Sequence, residues 1–189
     1  IQKATENNRY AIAQLIATGF QEGFLKMTNN LDNVVQIFNN SIQTERFWVA
    51  LQEEQIIGII ASSDATKRAI KLKIQDCQKY LGLFKGSVAY IVMSREYCKK
   101  LKYPFSSAYL EFIVVDPSAR QRGLASLMLS ELIKSTKYSE YLLDVSDNNQ
   151  AAINCYLKFG FKIIAKRKVS LAKLKGFKAK IDMRYKKIN

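Results

Sequence analysis

Ile12, Leu15, Ile16, Gly19 and Phe20 recur at the spacing of one helical face, and Gly23 stands where such a helix would close. A short strand at 1–4 leads in, and Leu31, Val34, Val35 and Phe38 predict a second helix. Residues 47–52 and 55–62 read as a strand pair turning at Glu53-Glu54, a dipeptide with poor turn chemistry. Cys77, Tyr80, Leu81 and Phe84 have helical spacing, which Gly86 should break. Ser87 then caps a further helix through Val88, Ile91 and Val92 to about Lys100, and Tyr103-Pro104 ends it.

The second half alternates more clearly. Residues 108–115 form a near-continuous apolar run, interrupted by Glu111, and predict a strand buried on both faces. Asp116-Pro117 turns the chain, and Leu124, Leu127, Met128 and Leu132 line a helix. Residues 140–145 are the next strand, and a right-handed crossover would make the two strands parallel. A helix over 150–159 closed by Gly160 follows, then a hairpin of strands at 161–168 and 178–185. The order predicts an α/β chain with a mixed sheet, organised as a single domain over 1–189.

Composition narrows the chemistry. Histidine is absent from the 189 residues, which removes the commonest general base and the commonest metal ligand, and no metal site is expected. Cys77, Cys98 and Cys155 form no CxxC pair, which suggests a reducing, cytoplasmic setting. No apolar run reaches the length of a membrane span. The net charge is +14, and +11 of it falls from Lys158 onward, so a polyanionic partner or a solvated basic face both fit.

The stretch from Val115 to Ala125 carries the strongest chemical signal. A buried strand ends, a turn presents Arg120, Gln121, Arg122 and Gly123, and a helix begins at once. Free amides at a helix start, joined by two guanidinium groups, form a candidate phosphate site. A solvated turn with a helix-start glycine is the plainer reading.

Arg120-Gln-Arg-Gly123-Leu-Ala125 resembles the R/Q-x-x-G-x-G/A diphosphate loop of the GNAT superfamily of N-acetyltransferases, with Ala125 in place of the commoner second glycine. Asn149, Ala152, Tyr156, Gly160 and Phe161 are similar to the superfamily's N-x-x-A-x-x-x-Y-x-x-x-G-F helix. The resemblance implies the GNAT acyl-CoA N-acyltransferase fold, with the helical stretch 74–100 as an insertion before the fourth strand.

It also implies a mechanism. The fourth and fifth strands should splay, and acetyl-CoA should serve as co-substrate. Its pantetheine would pair with the backbone of Ile113 and Val115. Its diphosphate would sit on amides from Gln121 through Leu124 to Ala125, and an N–H near Val114 or Val115 would hold the oxyanion. A primary amine on a small molecule or a peptide would attack directly through a tetrahedral intermediate. Tyr156 matches the general acid, and Glu111 is the first choice of base, sharing its strand face with Tyr109 and Ile113 by alternation. Asp144 is the second choice, with water a third route, and Asn149 would orient strand or pantetheine backbone, joined by Ala152 and Tyr156 as cofactor-binding positions.

Each role has a plainer counterpart. Tyr156 could simply pack, Glu111 could pair with a neighbouring cation, Asp144 could cap a turn, and Asn149 could be a helix N-cap beside Ala152. Cys155, beside Tyr156, reads as a packed thiol rather than a nucleophile. Rival functions are an acyl-CoA-binding regulatory module without turnover and a basic nucleic-acid-binding protein. The latter lacks any RNA-binding signature. A membrane partner is not expected, for want of a recognisable amphipathic anchor, and a homodimer is left open.

Overall fold

The computed structural model describes residues 1–169 and 176–187. Among these residues seven strands form one mixed sheet: β1 (Gln2–Lys3), β2 (Phe47–Gln52), β3 (Gln55–Ser63), β4 (Ser107–Val115), β5 (Glu140–Ser146), β6 (Lys162–Lys168) and β7 (Ala179–Lys186). Their order is β1-β2-β3-β4-β5-β7-β6, and only β4 and β5 pair in parallel. The crossover between those two strands is α6 (Leu124–Ser135), as the alternation predicts.

Helices cover both faces of the sheet, so there are two apolar layers. One holds α1 (Arg9–Gly19), α3 (Leu31–Asn39), α4 (Ile74–Leu81) and α5 (Leu83–Tyr97) against Phe47, Val49, Ile59, Phe112 and Val114. The short helix α2 (Gln21–Phe24) adds Phe24 to it. The other layer holds α6 and α7 (Gln150–Phe159) against Trp48, Ile60, Leu110, Tyr141 and Leu143. Neighbouring residues such as Phe47 and Trp48 face opposite layers, because side chains alternate along a strand.

Two glycines set helix positions. A Cβ on Gly19 would lie 2.7 Å from Val114 Cγ1, so α1 rests directly on β4. A Cβ on Gly86 would lie 2.4 Å from the Cys77 carbonyl oxygen, so Gly86 is the point where α5 crosses α4.

That position corrects the sequence reading of α4 and α5. The helix breaks at Gly82, which adopts φ 83°, and Gly86 lies inside α5. Ser87 is not a cap; its hydroxyl donates back to the Leu83 carbonyl at 2.7 Å. The buried side of α5 is Gly86, Ala89 and Met93, while Val88, Ile91 and Val92 face outward. α5 also stops at Tyr97, ahead of Tyr103-Pro104. Likewise α1 stops at Gly19, and Gly23 falls within α2.

The β2–β3 turn is made by Glu53 and Glu54 at φ 48° and 66°. Both sit in the left-handed region that a tight two-residue hairpin requires and that Asn-Gly would adopt more readily.

Candidate active site

β4 and β5 part company soon after they meet. Their pairing covers Ser107–Glu140, Ala108–Tyr141 and Tyr109–Leu142, and ends there. β4 continues along β3 to Val115, and β5 continues along β7 to Ser146. The stretch Leu110–Val115 therefore has no partner strand on its β5 side among the described residues. Unpaired backbone donors and acceptors inside a sheet invite an extended ligand to complete the ladder.

A bulge accompanies the parting. The register of β4 on β3 shifts between Val114–Ile59 and Glu111–Ala61, and Phe112 takes φ 53°. One extra residue flips the alternation. Leu110 faces the α6 layer, Phe112 and Val114 face the α1 layer, and Ile113 and Val115 return to the α6 layer. Simple alternation therefore fails for Ile113, which does not share the face of Tyr109 and Glu111. Phe112 pays no visible packing penalty, since its ring lies among Phe38, Phe47 and Tyr97.

Beyond Val115 the chain forms the predicted loop. Asp116 accepts from the Ser118 N–H and hydroxyl at 2.9 and 2.6 Å, which closes the turn and holds its carboxyl below the usual carboxylate range. Gln121 and Gly123 both adopt positive φ, 62° and 77°. No N–H from Gln121 to Ser126 hydrogen-bonds within the described residues. A Cβ on Gly123 would meet nothing within 4 Å. Leu124 and Ala125 open α6 immediately after it. The result is a nest of free amides at the positive end of a helix, open to the outside.

The two arginines behave differently. Arg120 Nε donates to the Val115 carbonyl at 3.1 Å, so this guanidinium ties the loop to the end of β4. Arg122 is exposed, has no ion-pair partner among the described residues, and is the cation at hand for an anion on the nest.

α7 brings up the second motif. Asn149 is its N-cap, accepting from the Ala152 N–H at 3.1 Å. Tyr156 is buried against Phe161, and no described residue hydrogen-bonds its hydroxyl. Burial, with smaller contributions from Cys155 and Asp144, raises the phenol well above its ordinary value. Cys155 Sγ lies 3.7 Å from Ser126 Oγ on α6, the placement of a packed thiol.

Both candidate carboxylates lie past the point of parting, and both are held by cations. Glu111 Oε2 accepts from Arg68 Nη2 at 2.7 Å, and its other oxygen accepts from Ser63. Asp144 Oδ2 lies 2.7 Å from Lys180 Nζ. The carboxylate side chains are each 8% exposed, and each has a cation within 2.7 Å. Arg68 also donates to the Lys99 and Glu96 carbonyls of α5 and its C-terminal end, at 2.6 and 3.2 Å, and lies over the Tyr109 ring. Lys180 pairs with the Glu96 carboxylate as well. Sequence reasoning missed Ser63, Arg68, Glu96 and Lys180, because nothing in their local spacing links them to β4 and β5.

The comparisons with known proteins agree with this geometry. Residues 9–161 match the model of the "Acetyltransferase (GNAT) family". Among solved structures the chain is similar to an N-acetyltransferase from Staphylococcus aureus Mu50, with TM-score 0.64, 19% identity, and 97% and 98% of the two chains covered. It is also similar to ribosomal-protein-alanine N-acetyltransferase from Brucella melitensis, with TM-score 0.61, 16% identity, and 98% of each chain covered. A third is yncA from Salmonella typhimurium with its cofactor acetyl-CoA, at TM-score 0.58, 13% identity, and 100% and 93% coverage. Similarity at these identities establishes the fold. Curated relatives are the cysteine-rich protein 2-binding proteins of Mus musculus and Homo sapiens, each 38% identical over 58 residues. That match takes in 31% of this chain but only 7% of their length. With the family model covering most of the chain, the chain belongs to the GNAT acetyltransferase family.

Proposed function

We propose that the chain is an N-acetyltransferase that moves an acetyl group from acetyl-CoA to a primary amine. The observation that carries this reading is the parting of β4 from β5 beside a free amide nest: a slot for an extended chain ending in a seat for a diphosphate. The slot fits the donor by its own chemistry, offering unpaired backbone along Leu110–Val115 and free N–H groups from Gln121 to Ser126.

When bound, acetyl-CoA supplies an activated thioester. The backbone of Ile113, Val114 and Val115 holds its pantetheine arm as an added strand. The Gln121–Ser126 amides and Arg122 hold the diphosphate, and Arg120 braces the loop on Val115. An N–H near Val114 or Val115 stabilises the charge that develops on the carbonyl oxygen. Tyr156, kept protonated by burial, delivers a proton to the departing sulfur.

Glu111 receives the proton of the attacking amine, directly or through water, with Arg68 and Ser63 as its positioning partners. Asp144, across the gap, is the alternative base. Asn149 caps α7 with its oxygen and keeps its side-chain N–H groups to orient the pantetheine backbone.

A second reading draws on the same ion pairs: with both carboxylates already held by cations, the fold could bind acyl-CoA without turnover. A screen of amines with acetyl-CoA, read by free thiol, separates the two. Amine-dependent thiol release supports the transferase. Tight CoA binding with no release under any amine supports the binding module.

A further inference from the structure

α5 turns its large apolar side chains away from the protein. Leu83 and Phe84 are 77% and 83% exposed, and Val88, Ile91 and Val92 continue the outward side at 49%, 48% and 53%. The small residues Gly86 and Ala89 face the core with Met93. This polarity is the reverse of an ordinary surface helix. Phe105, in the loop after α5, is a further exposed apolar side chain at 78%.

The ridge is framed by positive charge. Lys85 and Arg95 are exposed on α5 itself, and Lys99, Lys100 and Lys102 follow its C-terminal end. The acids of α4 and α5 are engaged: Asp76 accepts from Asn40, and Glu96 pairs with Lys180. The Glu96–Lys180 pair also fastens β7 beside α5, which brings the basic β6–β7 hairpin to the same part of the molecule.

We propose that the outer face of α5 is a docking surface for an anionic lipid bilayer. Charge complementarity selects this occupant. Pairing α5 with a second copy would set Lys85 and Arg95 against their own counterparts on chains that each carry +14. A single convex helix presents no groove to grip a peptide, whereas a fluid interface needs none. A helix lying in the headgroup plane buries an apolar ridge while its flanking cations meet anionic lipids. No described helix is long and apolar enough to cross a membrane, so the docking is peripheral.

The test is flotation with phosphatidylcholine vesicles made with and without phosphatidylglycerol. The protein should bind the anionic vesicles, leave the neutral ones, and be released by molar salt. Phe84→Ser with Ile91→Ser should weaken binding about tenfold or more, and Arg95→Gln about fivefold, the effect of one cation near an anionic surface. These side chains are exposed, so unchanged melting temperatures verify that the variants fold. Absence of binding to anionic vesicles would overturn the proposal, as would equal binding by the Phe84/Ile91 variant. A dimer in sedimentation equilibrium that the same variant abolishes would overturn it in favour of a second copy.

Discussion

Glu111 and Asp144 stand on strands that have separated, yet one chain of polar contacts joins them across the opening. Arg68 holds Glu111 and reaches the Glu96 carbonyl, while Lys180 holds Asp144 and reaches the Glu96 carboxylate. α5 therefore bridges the gap that β4 and β5 leave, on the side away from α6. Removing one partner of a buried pair leaves a stranded charge, typically costing about 3–5 kcal/mol, so the network resists piecemeal change.

The two carboxylates make distinguishable predictions. Glu111→Gln should depress the rate by roughly 10²-fold or more, most strongly at low pH where the amine is fully protonated, if Glu111 is the base. Asp144→Asn should then lower activity less. Rate against pH for both variants, with melting temperatures to separate stability from chemistry, decides the assignment; the opposite ranking moves the role to Asp144.

Tyr156→Phe should lower kcat by roughly 10–10²-fold and leave the KM for acetyl-CoA close to wild type, because the ring still packs on Phe161. Burial raises the phenol in the folded state, so unfolded tyrosine ionises first. Stability from this group is thus complete below the ordinary tyrosine value and is lost as pH rises above it. An unchanged kcat would make Tyr156 a packing residue.

Gly123→Glu should reduce CoA affinity by more than about 10²-fold, since a carboxylate would project into the seat of a diphosphate and the positive φ would be strained. The variant should stay folded, because the added side chain meets no neighbouring atom within 4 Å of its Cβ. Calorimetric titration with CoA measures it, and near-normal affinity would remove the loop from the site.

Asp64 offers a stability test away from the chemistry. Burial alone would raise its carboxyl, but donors from Thr66, Tyr138 and Arg46 hold it well below the usual range. A depressed folded value means its stabilisation is present above about pH 4, the ordinary Asp value, and is lost as pH falls. Asp64→Asn should cost about 1–3 kcal/mol at neutral pH, the range for hydrogen bonds to a charged group at a half-buried site, and flatten the acid limb of the stability curve. Urea melts from neutral to acid pH check both.

Much of this was legible in the residue order, and the exceptions have physical causes. The strand pair at 47–52, the 150–159 helix and the terminal hairpin follow from local periodicity alone. The loop at 120–125 was legible because a glycine and two arginines stand directly before a run with helical periodicity. The ends of α5 were misplaced because Gly86 reads as a breaker, whereas it is the point at which α5 packs on α4. The Phe112 bulge carries no glycine or proline to announce it, so Ile113 fell on the wrong face. The network around Glu111 joins residues far apart in sequence, which no local pattern encodes.

The bulge makes β4 a crank. Its first half supplies Ala108 and Leu110 to the layer beneath α6, and its second half supplies Phe112 and Val114 to the layer beneath α1. Unbroken alternation from Glu111, with all the residues kept and no bulge, would swing Val114 out from under Gly19 and thrust Ile113 toward α1. The seating of α1 and the backbone of the slot therefore both hang on the one residue by which β4 exceeds β3 at this point.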